Sequence, residues 1–565
     1  MNIAGTTEPK ADPRPIRAAL LLDTPTVPAW VARAVEDVAS LQSVRLRCVL
    51  LSPSDAEPAG RRLLGREYSG LLRLYQLLDR LLFQVAIQVP DAQRPTDIYK
   101  VLSADIPMIR LEAEAGPLFS DGLRQAVEKE QVDLVLNFGG PIAERFLEQA
   151  PRMGVWELKF GGRGEPVGLW EIMENNATIE VSLSARGPGS EVRYPLAQTV
   201  AAVDMNSFFR TRNRVLWQSA PLFRRGLQLV TTRGFPPPSS SPEESKTPLS
   251  PRVREGINHK DAGRFVGQVS RHVLGSLYRE TFFHKNWFIL LRKTDTLLPG
   301  ENWTLDPKKW RRLLPSADRF YADPFLFSFE GRPYLFFEDF RWRTGRGHIA
   351  VTQIGPDGRP GPVGPALTRP YHLSYPFIFS WQGDVYLLPE SRQNRTVALF
   401  RAVRFPDQWE QVRVLFEDLP ALDPTLCEYG GRWWLFMNIA QTGGDGHEEL
   451  HLFFAPAPLG PWQAHPLNPI VSDVRRARPA GRIFMEGGRL FRPGQDCSVR
   501  YGGALRIHEI TVLTEIEYRE REVGRLSPER LGSSLALHTY NAQPPFEVLD
   551  GCAYTPRFWP RRRRP

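Results

Sequence analysis

Residues Phe320–Phe340 read FYADPFLFSFEGRPYLFFEDF. Apolar residues alternate with small or polar ones as far as Glu330-Gly331 and then alternate again, which is the pattern of two antiparallel strands joined by a tight turn. The pattern returns as YPFIFSWQGDVYLLPES at Tyr375–Ser391, DPTLCEYGGRWWLFMN at Asp423–Asn438 and GRIFMEGGRLFRPGQD at Gly481–Asp496. The turn glycines Gly331, Gly383, Gly431 and Gly488 are 52, 48 and 57 residues apart. A strand-rich unit recurring at about 50 residues is the mark of a propeller blade.

The register predicts where the polar groups gather. Eight residues before the turn glycine stand Asp323, Tyr375 and Asp423, each followed by proline, and seven residues after it stand Glu338, Glu390, Asn438 and Gln495. In a regular hairpin Asp323 faces Glu338, Tyr375 faces Glu390 and Asp423 faces Asn438. The first two strands of a blade are its inner ones, so these positions are expected around one mouth of a central channel. Proline is compatible with the first residue of a strand.

The strand text runs from about Asn286 to Cys552, enough for five blades. Third strands are expected at His348–Ile354, Thr396–Val403, Glu449–Ala455 and Ala504–Ile510. The fifth blade is expected to pair the Trp287 strand with material from Leu535–Asp550, closing the ring through its two ends.

The first part of the chain has a different grammar. Ala18–Leu22 and Val44–Leu51 read as buried strands, Val27–Leu41, Leu71–Phe83 and Phe119–Glu130 as helices, and Asp133–Asn137 as a further strand. Alternation of this kind predicts a parallel sheet covered on both faces. The expected division is a disordered tail over 1–16, an α/β domain over 17–232, a Pro/Ser-rich linker over 233–263 containing PPPSSSPEESKTPLSP, a propeller over 264–556 and a basic tail over 557–565.

The chain has 565 residues, a net charge of +9 and a pI near 9.4, with 11% aromatics and 51 prolines. The basic balance is read as solvated surface, and with no nucleic-acid-binding motif, nucleic acid is not an expected partner. Cys48, Cys427, Cys497 and Cys552 form no CxxC pair, which suits a reducing compartment and argues against a zinc knuckle. No secretory leader or apolar run of about 18 residues is visible, so a cytoplasmic protein is expected. Membrane contact, if any, is assigned to the Arg561–Arg564 tail without integral insertion.

Two family resemblances follow from quoted text. DLVLNFGGPI and, after it, GVWELKFGGRGEPVGLWEI at Gly154–Ile172 resemble the formyltransferase family, over about residues 17–230. That resemblance implies formyl transfer from 10-formyltetrahydrofolate to an amine, through an Asn-x-His motif and a later Asp. Here Glu157 and Lys159 stand at the Asn and His positions, and Ser184–Gly189 reads SARGPG where the Asp is expected. The domain is therefore expected to be catalytically silent, with Glu157 paired to Lys159, and the folate cofactor is required only if it is active. The strings YADPFLF, YHLSYPFIF, YLLPES, LDPT, HLFFAPAPLGPW, RPAGR and RPGQD resemble five-bladed propellers of glycoside hydrolase families 43 and 32. They are most similar to the amino-terminal domain of the glucosamine inositolphosphorylceramide transferases. The hydrolase resemblance implies a base or nucleophile at Asp323, a modulating acid at Asp423 and, with a less regular position, an acid at Glu390.

Glycoside cleavage requires two carboxyl groups flanking the bond, one protonated and one ionised. Asp before Pro also ties down turn backbone, so a structural role for Asp323 and Asp423 stands beside the chemical one. Glu338, Tyr375, Asn438, Arg478, Arg482 and Gln495 are the candidate ligand-binding residues, suited to hydroxyls or a phosphate. No metal site is assigned. HEELH at His447–His451 matches the H-E-x-x-H string but runs into a strand, where two histidines four apart do not share a helical face. Gly161-Gly162-Arg163-Gly164 lacks the spacing of a dinucleotide loop. The expected fold is thus an open parallel-sheet α/β domain followed by a five-bladed β-propeller. The expected function is binding or processing of a sugar, glycolipid headgroup or nucleotide-sugar at the propeller mouth. N-formyl transfer to an amino sugar and a non-catalytic protein-interaction role are the alternatives.

Overall fold

The strand Ile16–Leu22 is buried on both sides: Ala18, Leu20 and Leu22 enter one core and Ala19 and Leu21 the other. A continuous apolar run, rather than an alternating one, is what a central parallel strand requires. In this computed structural model the described residues are 14–52, 70–86, 90–111, 121–139, 142, 150–162, 166–187, 193–235, 259–440, 443–531 and 534–557. They divide into two compact units, Met1–Val273 and Leu274–Pro565.

The first unit is built on a seven-stranded sheet. Met108–Arg110, Val44–Leu51, Ile16–Leu22, Leu134–Asn137 and Val155–Phe160 run parallel, and Thr178–Arg186 and Arg193–Ala202 extend the sheet antiparallel. Helices Ala29–Ala39 and Leu222–Arg233 supply residues to one core and Asp121–Lys129 to the other, so both faces are covered. The expected helix near Leu71–Phe83 is present as Gly70–Ala86. It turns Leu72 and Asp79 inward, where Asp79 accepts from Phe209 N–H at 2.8 Å, and leaves Leu71, Leu74, Leu77, Leu78, Leu81 and Leu82 exposed.

The expected linker and both terminal tails lie largely outside the described residues. The expected start of the propeller at 264 falls instead within a helix, His259–Phe282, whose Ala262, Phe265 and Val269 belong to the core of the first unit. Their apolar spacing serves that core, which is why the division comes at Val273. Among the described residues no helix is long and apolar enough to cross a membrane.

The second unit is a five-bladed propeller. Four blades follow in sequence, each an antiparallel sheet. In the first three the inner hairpin is one of the repeated stretches: Arg319–Phe329 with Arg332–Arg341, Ser374–Trp381 with Asp384–Glu390, and Ala421–Tyr429 with Arg432–Ile439. In the fourth, Arg478–Pro479, just ahead of the expected Gly481–Asp496 hairpin, pairs with Arg489–Asp496, while Phe484–Glu486 pairs with the same strand as a side hairpin. The third strands lie at Arg346–Gln353, Val397–Arg404, Glu449–Ala455 and Ala504–Leu513, within two residues of expectation at their starts. The fifth blade joins the two ends: Tyr540–Gln543 and Phe546–Pro556 are its inner strands, and Phe283–Lys293 pairs with the latter, Trp287 opposite Cys552. Apolar cores fill the seams between blades. All four cysteines are free and buried.

The hairpin register departs from the regular one at the site itself. Glu338 faces Ala322, Glu390 faces Ser374 and Asn438 faces Leu422, each one residue short of the expected partner, because the ladder shifts across the next two residues. Asp323, Tyr375 and Asp423 occupy those bulges with φ of 51°, 45° and 51°. A bulge leaves its extra residue out of the ladder and re-aims it.

The ring is fastened by a buried ion pair. Arg292 of the outer strand meets Glu547 of the inner strand at 2.5 Å, and Glu547 also accepts from Leu298 N–H and the Tyr540 hydroxyl, each at 2.6 Å. Removing one partner of such a pair strands a charge in low dielectric. Arg292→Met is expected to destabilise the propeller by about 3–5 kcal/mol, read as the denaturant midpoint of its tryptophan fluorescence transition. A loss below about 1 kcal/mol, the surface-pair scale, would mean the ring closes without this clasp.

Candidate functional site at the channel mouth

The three bulges have a common consequence. A residue lifted out of the ladder has a backbone N–H to place, and a buried one must find an acceptor. Each finds a carboxylate of the preceding blade. Asp323 N–H donates to Asp550 at 3.1 Å, Tyr375 N–H to Asp323 at 3.2 Å and Asp423 N–H to Glu390 at 3.0 Å. In the fourth blade Arg478 takes this place, donating to Asp423 through Nε at 2.7 Å and Nη2 at 3.3 Å. A chain of acids and donors therefore runs around the mouth from blade to blade.

Asp323, Glu338, Glu390, Asp423 and Asp550 are all brought to this mouth, none more than 6% exposed. Two cations answer them. Arg478 also lies 3.7 Å from Glu390. His538 presents Nδ1 to Asp550 in a very close contact and Nε2 to Asp323 at 3.5 Å. Thr539 donates to Asp323 at 2.8 Å, and the N–H groups of His538 and Thr539 both donate to Asp550 at 2.9 Å.

The excess of acid holds protons. Burial pushes Asp423 up to about 7 against the pull of Arg478, with Glu390 adding to the rise. Burial likewise raises Asp323 to about 6, opposed by His538 and reinforced by Asp423 and Asp550. For His538 burial opposes the charge, but Asp550 and Asp323 outweigh it and raise the imidazole. Glu338 goes well above the ordinary range through burial and the surrounding acids. Its nearest base is His372 Nε2 at 3.5 Å, beyond a good hydrogen bond, and burial keeps that imidazole neutral. His372 Nδ1 accepts from Gly347 N–H at 2.9 Å. Glu338 is thus the acid of the mouth most strongly biased toward its neutral form.

Above this floor stands Tyr501, 38% exposed. Arg478 lies 4.9 Å from its ring centroid, His538 5.1 Å and His447 5.4 Å, and Trp287 stacks on His538 at 4.0 Å. His447 Nδ1 is 2.9 Å from Arg478. Its strand neighbour His451 lies in Glu449–Ala455, so HEELH is no helical zinc string. Asp323, His538 and Asp550 do place three possible ligand atoms within 4.8 Å of one another. An imidazolium bridging two carboxylates satisfies the same three groups, so their chemistry does not require a metal.

Other expected binding residues are placed differently. Tyr375 is fully buried, its hydroxyl 2.8 Å from Thr425 Oγ1 and accepting from Gly481 N–H at 2.8 Å. Asn438 donates to Gly446 O at 3.0 Å, and Gln495 to Asp423 and Pro479 O at 3.1 and 2.8 Å. These three brace the floor rather than present themselves to a ligand. Arg482 is not at this mouth: its guanidinium lies on Phe377, further along the channel, because the fourth inner strand breaks around Gly481.

The mouth residues that the sequence does not assign to the site are Trp287, His447, Tyr501, His538, Thr539 and Asp550. Asp550 occupies the second inner strand of the closing blade, but that hairpin turns at Pro544-Pro545, so counting from turn glycines passes over it. In the α/β domain, Glu157 accepts from Asn137 Nδ2 at 3.1 Å and lies 3.7 Å from Arg186. It does not pair with Lys159: Arg186, on the neighbouring antiparallel strand, supplies the cation. Of the SARGPG segment, Ser184–Gly187 is described, and the rest lies outside the described residues.

Residues 312–534 match the family model described as glucosamine inositolphosphorylceramide transferase 1, N-terminal. The protein of that name from Oryza sativa subsp. japonica is 39% identical over 205 residues, which are 36% of this chain and 27% of the relative. The Arabidopsis thaliana protein of the same name is 39% identical over 214 residues, 37% of this chain and 28% of the relative. The chain thus spans about a quarter of the length of these curated relatives. A family 117 glycoside hydrolase of Zobellia galactanivorans aligns over 47% of this chain and 90% of its own at 13% identity, with a TM-score of 0.32. Phosphoribosylglycinamide formyltransferase of Anaplasma phagocytophilum aligns over 39% and 88% at 13% identity, with a TM-score of 0.27. The propeller therefore has the resemblance its sequence announced. The likenesses to solved structures add nothing to the topology above.

The retained protons set a pH dependence. Asp323 and Asp423 have folded pKa values above the unfolded one, so the native state binds more protons than the unfolded state between about 4 and 7. Their contribution to stability is complete below the unfolded value and is lost as pH rises through the folded ones. The raised pKa of His538 acts in the same direction. The propeller is therefore expected to melt higher near pH 5 than near pH 8, with a shallower fall in Asp423→Asn. A melting temperature that rises over this range would contradict the assignment.

Proposed function

We propose that the propeller is a carbohydrate-handling module that takes a sugar phosphate or the sugar-bearing headgroup of a glycolipid at the channel mouth. The observation that carries this reading is the exposed Tyr501 ring over a floor of buried carboxyl groups, flanked by Arg478 and His447. An aromatic face receives the apolar side of a sugar ring, while acids and a cation beside it suit hydroxyls and a phosphate. The match of residues 312–534 to a family named for transfer to an inositolphosphorylceramide supports a glycolipid headgroup in particular.

Binding is the primary role in this reading. Asp323, Asp423 and Glu390 each hold the backbone or cation of a neighbouring blade, so their first task is to hold the ring together. For turnover, Glu338 is the proton donor of this reading: burial and the surrounding acids raise its pKa well above the ordinary range, and it lies at the mouth beside the partly exposed His372. This moves the acid from Glu390 to Glu338. The α/β domain is read as a non-catalytic module with no folate requirement, because Glu157, at the family's Asn position, is engaged by Asn137 and Arg186. Release of formyl from a labelled donor onto an amino sugar, abolished by Lys159→Ala, would reverse that assignment.

Calorimetric titration with UDP-N-acetylglucosamine and with myo-inositol 1-phosphate tests the mouth. At least one is expected to bind, with Tyr501→Ala weakening it about ten-fold. Glu338→Gln is expected to leave affinity within about three-fold and, where product forms, to lower kcat with KM retained. No binding of either compound, or unchanged affinity in Tyr501→Ala, would exclude the mouth as the site.

A further inference from the structure

At the opposite end of the same channel stands Arg482, which forms no ion pair among the described residues. Other arginines held within the propeller's blades are matched: Arg478 with Asp423, Arg492 with Glu520, Arg506 with Asp496 and Arg292 with Glu547. Arg482 differs. Its backbone N–H donates to Asn541 Oδ1 at 2.8 Å, and Asn541 Nδ2 donates to Pro324 O at 2.7 Å, which pins this segment across the closing blade to the first. Its guanidinium lies 4.7 Å from the Phe377 ring centroid and gives one N–H to Ile378 O at 2.5 Å. Among the described residues no carboxylate lies within ion-pair distance of it. Burial accordingly lowers Arg482, to about 10, whereas the nearby acids hold Arg478 and Arg492 above the usual range despite burial.

The arginine lines a cavity of about 430 Å³. All five blades contribute to its wall, through Phe327, Phe379, Leu426, Ile483 and Gln543, and Trp433 of the third blade adds a further aromatic surface. Met485 at the rim is 58% exposed, so the cavity opens to solvent. Glu428 is the acid among the lining residues, and it is exposed rather than paired with the guanidinium. A guanidinium carries five N–H donors, and those not given to Ile378 O remain for a ligand. The size is that of a small-molecule site, apolar and aromatic with one fixed polar anchor.

We propose that this cavity is a second ligand site, taking a small organic anion whose phosphate or carboxylate pairs with Arg482 and whose apolar or ring portion lies against Phe379 and Trp433. Arg482 supplies two parallel N–H donors to either oxyanion, and the aromatic walls select a flat or apolar body over a bare ion. The site stands apart from the mouth, with its own charge and its own residues, and does not depend on the function proposed there.

Calorimetry with the full chain decides it, using phenyl phosphate and benzoate as the anions and benzyl alcohol as the neutral control. At least one anion is expected to bind, benzyl alcohol at least about ten-fold more weakly, and Arg482→Met to weaken the anion about ten-fold or more. The stronger of the two anions identifies the headgroup class. Met485→Glu sets a like charge at the exposed rim and is expected to weaken the anion without disturbing the fold, which covers the case of an unfolded Arg482→Met protein. Tyr501→Ala is expected to leave this binding unchanged, so that failure here and failure at the mouth are separate results. Binding of neither anion, equal binding of benzyl alcohol, full affinity in folded Arg482→Met, or full affinity in Met485→Glu would each overturn the assignment.

Discussion

The propeller depends on a backbone conformation that its residues do not favour. Asp323, Tyr375 and Asp423 stand at positive φ, before proline, in the middle of otherwise regular inner strands. For a residue with a β-carbon such a position costs on the order of 1–3 kcal/mol and persists only where the surroundings hold it. Here the surroundings are the carboxylates of the preceding blade, which accept the N–H that each bulge releases. Aspartate tolerates the left-handed region better than most residues. Tyr375 is held in it by more than the N–H: its hydroxyl reaches across to Thr425 and Gly481, so the strain in the second blade is offset by contacts with the third and fourth. Blade order and mouth chemistry thus rest on the same atoms.

That identity of architecture and chemistry explains the electrostatics. Five acids converge on one arginine and one histidine, and an interior cannot hold five negative charges against two positive ones. The pKa values of Asp323, Asp423 and above all Glu338 rise instead, toward the neutral form. The far end of the channel has the opposite imbalance, a guanidinium beside aromatic rings with no carboxylate in ion-pair distance among the described residues. The channel is thus acid-rich at its mouth and cationic at its far end.

Much of this was legible from residue order. Gly331, Gly383, Gly431 and Gly488 mark four hairpins, and alternation around them puts Phe325, Phe336, Phe377 and Leu435 inside. The strand Ile16–Leu22 declares itself parallel and doubly covered by having no polar side. The register did not read through, because a bulge changes no composition: Asp323 opposite Glu338 and Ala322 opposite Glu338 are the same string of letters. The closing blade hid Asp550 and His538 for a related reason, since its turn is made by Pro544-Pro545 and its partner strand, Phe283–Lys293, lies more than two hundred and fifty residues away in sequence. An unbroken repeat through Gly481 would put Arg482 at the mouth, but the strand does not run on. A side chain there would meet Tyr540 O at 2.0 Å, and φ is 122°, so the strand leaves its course.

By itself the sequence determined which residue types recur and at what spacing, and hence the parallel-sheet domain, the blades and the family resemblance of the propeller. Those are properties of periodicity and turn chemistry, which act over a few residues. The tertiary structure decided which carboxyl groups share a mouth, which of them keeps its proton, and which arginine stands alone at the other end. Ring closure brings His538 and Asp550 to Asp323, and burial, a property of the whole packed ring, sets the charge each group carries.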